Sequence, residues 1–267
     1  MSKKIIITGA SGSMGSAAAL ESVKKGYSVI MACRNPEKGE GVRQNIIRAV
    51  PDADITLRQL NLESFRSIRS FVNSLKSDDI QIDSLFNNAG VISRAFEKTE
   101  DGFEKTLAVN YIGPYLLTTE LLPLLNDGAN VVNMVSLTAR FGNVGKDLFE
   151  RTDFRRLKTY SDTKLALLLF SIELSRRYPS LIVNVSDPGI VDSNMISMGK
   201  WFDPLADMLF RPFCSSPEKG VAPALRALES STNLRYYVGK GDKSIHSRYL
   251  EHPLLEWLWE ETAKKLK

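Results

Sequence analysis

Residues 5–15, Ile-Ile-Ile-Thr-Gly-Ala-Ser-Gly-Ser-Met-Gly, constrain the fold of this 267-residue chain more than any other stretch. They predict a short strand that is apolar on both faces, as in a buried parallel sheet, then a tight turn and a helix. Glycines let a backbone turn sharply and approach a ligand closely. The helix that begins near Gly15 would point its free N–H groups and positive dipole end back at the turn, where a pyrophosphate can bind.

After this turn, short apolar runs alternate with helical periodicity, which predicts βαβ units. We expect an α/β fold: a single Rossmann-like doubly wound parallel sheet of about seven strands, with helices on both faces, in one domain over residues 1–267. The isoleucine run is the first strand. The next strands are expected at residues 27–32, 55–60, 84–86, 131–135 and 181–185, and the helices at 17–25, 37–50, 63–76, 103–125 and 160–178.

Composition argues against several other classes of protein. The net charge is +4 with both signs interspersed, whereas a nucleic-acid binder would show clustered basic residues. Cys33 and Cys214 lie far apart and lack metal-ligand spacing, so neither a disulfide framework nor a metal site is expected. No apolar run is long enough for a signal peptide or a membrane span, which predicts a cytoplasmic protein without stable membrane insertion.

The end of the second predicted strand indicates the cofactor. An NAD site usually has an Asp or Glu there to bind the ribose hydroxyls. This chain has no carboxylate at that point, and Arg34 follows at once. Because an arginine suits a 2′-phosphate, NADP(H) is favoured over NAD(H). A solvated surface arginine is the alternative, and Lys38 would add charge if it faces the same way.

Tyr160 and Lys164 are four residues apart on a predicted helix and therefore share a face. A free tyrosine has a pKa of about 10, too high for efficient proton transfer at neutral pH, and a nearby ammonium lowers it. Ser136 follows a predicted strand and can hydrogen-bond a substrate carbonyl oxygen. The three side chains predict proton transfer to or from a substrate oxygen. The spacing of Tyr160 and Lys164 alone would also fit an ordinary exposed helix face.

With these motifs the chain resembles the classical short-chain dehydrogenase/reductase family over nearly its whole length. The resemblance rests on residues 8–15, 87–90, 160–164 and 187–189, together with Asn110 and Ser136. It looks most like the branch of retinol dehydrogenases and WW-domain-containing oxidoreductases, through residues 32–39, 109–114, 209–213 and 258–261.

The resemblance implies a catalytic tetrad. Tyr160 would be the general acid in reduction and the base in oxidation. Lys164 would lower the pKa of Tyr160 and hold the nicotinamide ribose, Ser136 would orient the carbonyl, and Asn110 would help hold a water that links Lys164 to solvent. The nucleotide-binding residues would be Gly9, Ser11, Gly12, Ser13, Met14, Gly15, Arg34, Asn61, Leu62, Asn88, Ala89, Gly90, Tyr160, Lys164, Pro188, Gly189, Ile190 and Ser193.

Three residues depart from the family pattern. Ser13 stands where the family has its middle glycine, so the turn would differ locally. Asn61 replaces a common aspartate but keeps an oxygen for the adenine amino group. Ser193 replaces a threonine and keeps the hydroxyl.

Two segments are expected to shape the substrate site. Residues 142–158 form a longer connection than many relatives have, either bordering the substrate entrance or forming a plain surface insertion. The apolar, aromatic-rich residues 195–213 would form a substrate lid. Relatives often pair through the helices that hold Asn110 and Tyr160, which leaves a homo-oligomer open.

The sequence therefore predicts an NADP(H)-dependent oxidoreductase that interconverts a carbonyl and an alcohol on a small or apolar substrate, in the reducing direction. One alternative is an NADPH-dependent reductase of carbon–carbon double bonds. Another is a catalytically silent NADPH-binding sensor or scaffold, against which the intact Tyr160, Lys164, Ser136 and Asn110 argue.

Overall fold

The computed structural model describes residues 2–189 and 216–267. These residues include eight strands: β1 (Lys4–Thr8), β2 (Ser28–Cys33), β3 (Ile55–Gln59), β4 (Ile82–Asn87), β5 (Leu125–Met134), β6 (Ile182–Asp187), β7 (Arg235–Val238) and β8 (Gly241–Ser244). The strands form one sheet in the order β3-β2-β1-β4-β5-β6-β7-β8. Neighbouring strands are parallel except β7 and β8, which are antiparallel. The predicted doubly wound sheet is confirmed.

The isoleucine run forms β1 because both faces of the sheet are covered. Ile6 lies opposite Ile30 on β2 and Leu85 on β4, and packs into the apolar cluster on one face. Ile5 and Ile7 point the other way and pack into the cluster on the opposite face. A strand with helices on both sides buries every side chain, which explains why β1 lacks the alternation of a half-exposed strand.

The helices connect these strands across both faces of the sheet. Asn35 and Ser64 cap two of them, each accepting a hydrogen bond from a backbone N–H three residues on. The helices are α1 (Ser13–Lys24), α2 (Pro36–Ala49), α3 (Phe65–Ser77), α4 (Lys105–Leu107), α5 (Gly113–Leu121), α6 (Arg156–Arg177), α7 (Pro217–Leu228), α8 (Ser247–Leu250) and α9 (Leu255–Lys265). None of those in the described ranges combines the length and apolar character that a membrane crossing needs. The predicted lid, residues 195–213, lies outside the described residues.

The helix predicted over residues 103–125 is helical without interruption from residue 105 to residue 124, but it is not a regular α-helix throughout. The structure divides it into α4, a π-helical turn at Ala108–Ile112, α5 and a 3-10 turn at Leu122–Leu124. Pro114 has no N–H to donate to the carbonyl of Asn110, which favours a break from regular α-helix here. β5 also begins earlier than the predicted residue 131, because Leu125 pairs with Ile82 before the register shifts.

The C-terminal helix α9 packs across α5 and α6. The ring of Trp259 stacks on Phe170, with centroids 5.6 Å apart, and lies 5.0 Å from Tyr115. The hydroxyl groups of Tyr111 and Thr262 are 2.6 Å apart. The helix α9 therefore covers part of the surface of α5 and α6, the region through which relatives often pair.

We expect Trp259→Ala to lower the free energy of unfolding by about 3–5 kcal/mol, since it leaves a cavity among the rings of Phe170, Tyr115 and Tyr178. Urea denaturation measures the change. Trp257→Ala on the same helix is the matched control, because Trp257 is only partly buried and contacts Phe149 with centroids 6.3 Å apart. Equal losses in the two variants would contradict the anchoring role of Trp259.

Candidate active site

A cleft of about 370 Å³ lies beyond the carboxyl ends of β1 to β4. The strand order reverses between β1 and β4, the point at which open parallel sheets bind their ligands. All predicted nucleotide-binding residues from Gly9 to Gly90 line this cleft. They are Gly9, Ser11, Gly12, Ser13, Met14, Gly15, Arg34, Asn61, Leu62, Asn88, Ala89 and Gly90, and Lys38 joins them.

The glycine-rich turn brings α1 very close to the end of β1. Gly9 has a φ of +65°, in the left-handed region that favours glycine. A Cβ on Gly15 would lie 2.3 Å from the carbonyl oxygen of Gly9, so no other residue fits there. Ser13 is the exposed first residue of α1, and no side chain caps this helix. The serine therefore leaves the turn intact, and the first N–H groups of α1 face the cleft as an anion site requires.

Asn88 fastens the loop after β4 to the end of β1. Its amide nitrogen donates to the carbonyl of Thr8 at 2.8 Å, and the N–H of Ala89 donates to the Thr8 hydroxyl at 3.0 Å. The other amide atom of Asn88, Oδ1, is buried without a partner among the described residues. A buried acceptor without a partner, next to the glycine-rich turn that contains Gly15, fits a bound nucleotide that donates a hydrogen bond to it.

The far end of the cleft carries three charged side chains. Arg34 and Lys38 line it, as expected, but Arg34 makes an ion pair with Glu63 at 2.5 Å. The Asn61 oxygen that we assigned to the adenine amino group accepts from the N–H of Glu63 at 3.1 Å. Sequence reasoning missed Glu63, because it lies in a stretch predicted only as the start of a helix.

Tyr160 and Ser136 meet at the end of β5. Ser136 begins the 3-10 turn Leu137–Phe141 by accepting from the N–H of Thr138 at 3.3 Å. Burial raises the pKa of Tyr160 to about 12, and hydrogen bonding by the Ser136 hydroxyl only partly offsets this. The ammonium of Lys164, which we expect to lower this pKa, donates to the carbonyl of Met134 at 2.7 Å and does not offset the effect of burial on Tyr160 in the protein alone.

Lys164 is itself buried, and the cost of charge in that setting lowers its pKa to about 8. The carboxylate of Asp187 opposes this shift. Asp187 is held at the end of β6 by the hydroxyl of Tyr236 at 2.8 Å and the N–H of Gly189 at 2.9 Å. In the sequence, Asp187 stands out only as part of residues 187–189, which carry the family resemblance; in the structure its charge also acts on Lys164 and Tyr160.

Asn110 joins this group to the cleft. Its side chain exchanges two hydrogen bonds with the backbone of Val91, at 2.8 and 2.9 Å, and donates to the Thr163 hydroxyl. A Cβ on Gly90 would lie 3.4 Å from both the Asn110 oxygen and the Lys164 nitrogen. The Asn110 side chain is thus committed to holding the 90–91 loop against Lys164.

The remaining predicted residues lie at the end of β6 or beyond it. Pro188 and Gly189 follow this strand directly, whereas Ile190 and Ser193 lie outside the described residues.

The connection at residues 142–158 fastens to α6. The buried carboxylate of Asp162 accepts from the N–H of Asn143 at 2.7 Å, from Arg151 at 2.8 Å and from Lys158 at 2.7 Å. Asp162 follows Tyr160 by two residues, which places it on the opposite side of the helix. These bonds anchor the connection to the face of α6 that points away from Tyr160.

A family model described as short chain dehydrogenase matches residues 3–200. The chain belongs to this family. Retinol dehydrogenase 14 from Mus musculus is 31% identical over 280 residues, covering 97% of this chain and 84% of that protein. Retinol dehydrogenase 13 from Homo sapiens is 30% identical over 277 residues, covering 98% and 84%. The short-chain dehydrogenase described here is therefore an NAD(P)-dependent oxidoreductase of alcohols and carbonyls, consistent with the retinol-dehydrogenase branch.

Solved structures agree on the fold. An uncharacterized protein from Mycobacterium Paratuberculosis superposes with a TM-score of 0.77 at 26% identity, over 99% of this chain and 93% of that one. Levodione reductase superposes with a TM-score of 0.70 at 17% identity, over 85% and 90%. The second likeness concerns the fold alone.

We expect Lys164→Met to stabilise the nucleotide-free protein at pH 7 by about 2 kcal/mol. The lowered pKa of Lys164 means that burying its ammonium destabilises the fold by about 3 kcal/mol. The variant avoids this cost but loses the hydrogen bond of Lys164, which destabilises it by about 1 kcal/mol. Between pH 8 and 10.5 Lys164 is protonated in the unfolded chain but neutral in the folded protein. The free energy of unfolding of the wild type therefore rises with pH in this window, and the advantage of the variant shrinks.

Urea denaturation of both proteins at pH 7 and pH 10 measures this difference. A variant less stable than the wild type at pH 7, or a gap that widens with pH, would contradict the assigned burial cost.

Proposed function

We propose that this chain is an NADP(H)-dependent reductase that interconverts a carbonyl and an alcohol, with Tyr160 as the proton donor and acceptor. The observation that carries the proposal is that Tyr160 lies beside both Ser136 and Lys164, and that Lys164 in turn approaches the loop that lines the cleft. The Lys164 nitrogen lies 3.4 Å from the position of a Cβ on Gly90, and Gly90 itself lines that cleft.

Tyr160 is the proton donor in the reducing direction. It is protonated at neutral pH, but burial raises its pKa and makes it a weaker acid, so efficient donation to a developing alkoxide requires the nearby Lys164 ammonium to lower that pKa. Ser136 orients the carbonyl oxygen, and the Lys164 ammonium stabilises negative charge on that side. The nicotinamide supplies the hydride when it is bound. Pro114 leaves the carbonyl of Asn110 free of the usual helical donor, which suits the water-holding role that the resemblance implies.

An apolar substrate fits the surface around Ser136 and Tyr160. Leu137 and Phe141 follow Ser136 and are 51% and 67% exposed, and Leu157, one helical turn before Tyr160, is 70% exposed. Exposed apolar side chains grouped in this way commonly mark binding surfaces. The names of the most similar relatives state an apolar alcohol, retinol, as their substrate.

The choice of NADP(H) is supported by charge. Arg34 and Lys38 line one end of the cleft, and the residue that ends β2 is Cys33 rather than an acid. Two cations and no strand-end carboxylate suit a 2′-phosphate.

Product analysis separates this function from reduction of a carbon–carbon double bond. Incubating the protein and NADPH with apolar enals would yield the allylic alcohol if the carbonyl is reduced and the saturated aldehyde if the double bond is reduced.

We expect Tyr160→Phe to lower kcat by about 10²- to 10⁴-fold, because it removes the proton-transfer group. NADPH affinity should stay within about threefold, since the aromatic ring remains. Tyr27→Phe is the matched control, because Tyr27 lies at the amino end of β2, away from the carboxyl ends of the strands where the site lies. Activity is followed by NADPH absorbance and affinity by nucleotide fluorescence. Full activity in Tyr160→Phe would reject this residue as the acid, whereas tight NADPH binding without turnover by the wild type on any tested carbonyl would favour the sensor.

We expect Arg34→Ala to weaken NADPH binding about 10- to 100-fold, the loss of one charge-assisted contact, and to leave NADH nearly unchanged. Fluorescence titration of both nucleotides measures the effect. Arg43→Ala serves as the control, because Arg43 lies on α2, pairs with Glu40 and does not line the cleft. An equal loss for both nucleotides would count against the 2′-phosphate contact.

A further inference from the structure

We propose that Glu63 sets how strongly the cleft prefers a nucleotide with a 2′-phosphate, and that it weakens this preference by competing for Arg34. The proposal rests on the assignment of NADP(H) above and names a selectivity residue within that site.

Glu63 enters the same cleft as Arg34 and Lys38 from a different strand end. Its carboxylate lies 2.5 Å from the guanidinium of Arg34, and its own side chain is 21% exposed. The side chain of Arg34 is 62% exposed, so the guanidinium can turn toward another anion. An exposed cation of the cleft is therefore already paired with an acid of the chain.

Local structure holds Glu63 in place. The oxygen of Asn61 accepts from the N–H of Glu63, which forms a tight turn at the end of β3. On the other side the ammonium of Lys105 lies 4.0 Å from the second carboxylate oxygen, although it pairs more closely with Glu97 at 2.9 Å. Glu63 is thus fixed between two cations, whereas Arg34 is the exposed and movable member of the pair.

A 2′-phosphate must then disturb this pair. A phosphate monoester carries between one and two negative charges at pH 7, and binding it through Arg34 requires the guanidinium to leave or share Glu63. The phosphate would also lie near the Glu63 carboxylate, and like charges at short range repel. A nucleotide without the 2′-phosphate leaves the ion pair intact and incurs neither effect. The carboxylate therefore reduces selectivity without affecting the rest of the nucleotide.

Glu63→Gln tests this inference. The variant keeps the size of the side chain and a hydrogen bond to Arg34, but removes the charge. Calorimetric titration with adenosine 2′,5′-bisphosphate and with AMP measures the 2′-phosphate contribution without the nicotinamide and without turnover. We expect the bisphosphate to bind about 3- to 10-fold more tightly to Glu63→Gln, the range of a partly exposed ion pair, and AMP to change by less than twofold. In the Arg34→Ala background the gain should shrink to the smaller part that comes from direct repulsion between the Glu63 carboxylate and the phosphate.

Glu97→Gln is the matched control, because it removes one negative charge from the same cluster without touching Arg34 or the cleft. It should leave both affinities unchanged, and thermal melting should show that each variant is folded.

Three outcomes would overturn the inference. An unchanged or weaker bisphosphate affinity in Glu63→Gln, while Arg34→Ala still weakens the bisphosphate, would reject the role of Glu63 and leave the NADP(H) assignment standing. An equal gain with and without Arg34 would reject competition for this residue. If Arg34→Ala does not affect the bisphosphate, or the bisphosphate binds no better than AMP in every variant, both the inference and the NADP(H) assignment fail.

Discussion

The close contact between α1 and the end of β1 is the constraint on which the cleft depends. Only a residue without a Cβ can stand at Gly15, because its neighbour is the backbone oxygen of Gly9 rather than a flexible side chain. The bond from Asn88 to Thr8 then fixes the loop after β4 against the same turn. Since β1 and β4 are adjacent and the strand order reverses between them, the free N–H groups of α1 and the 88–90 backbone face one space.

Burial acts in opposite directions on the two titrating side chains near this space. It lowers the pKa of Lys164 and raises that of Tyr160, because it disfavours charge on either. The protein alone therefore buries a neutral tyrosine beside an ammonium whose charge is costly, with the Lys164 nitrogen 5.7 Å from the centroid of the Tyr160 ring. The buried ammonium lowers the stability of the fold but places a charge where proton transfer needs it. Such a conflict between stability and function is expected at functional sites.

Residue patterns within short stretches of sequence predicted those strands and helices whose formation depends on neighbouring residues alone. The apolar runs of β1 and β2 are of this kind. β8 escaped prediction because Gly-Asp-Lys-Ser is an exposed edge strand whose place is set by pairing with β7. The π-helical turn escaped because the helical periodicity continues through it.

The site was predicted to a similar limit. Tyr160, Ser136 and Lys164 stand out through spacing and position, but the partner of Lys164 is a backbone carbonyl, which carries no signal in the sequence. Glu63 meets Arg34 across two strand ends 29 residues apart, and such a pair is visible only in three dimensions. The direction of the Tyr160 pKa shift depends on burial, which residue spacing does not report.

The two groups differ in how far water screens their charges. Near Arg34 water screens charge, so replacing one acidic residue changes nucleotide affinity modestly. Near Lys164 a change of charge is weakly screened, so it alters both the stability of the fold and proton transfer. Nucleotide preference can thus vary at the exposed end while the buried proton-transfer group stays fixed.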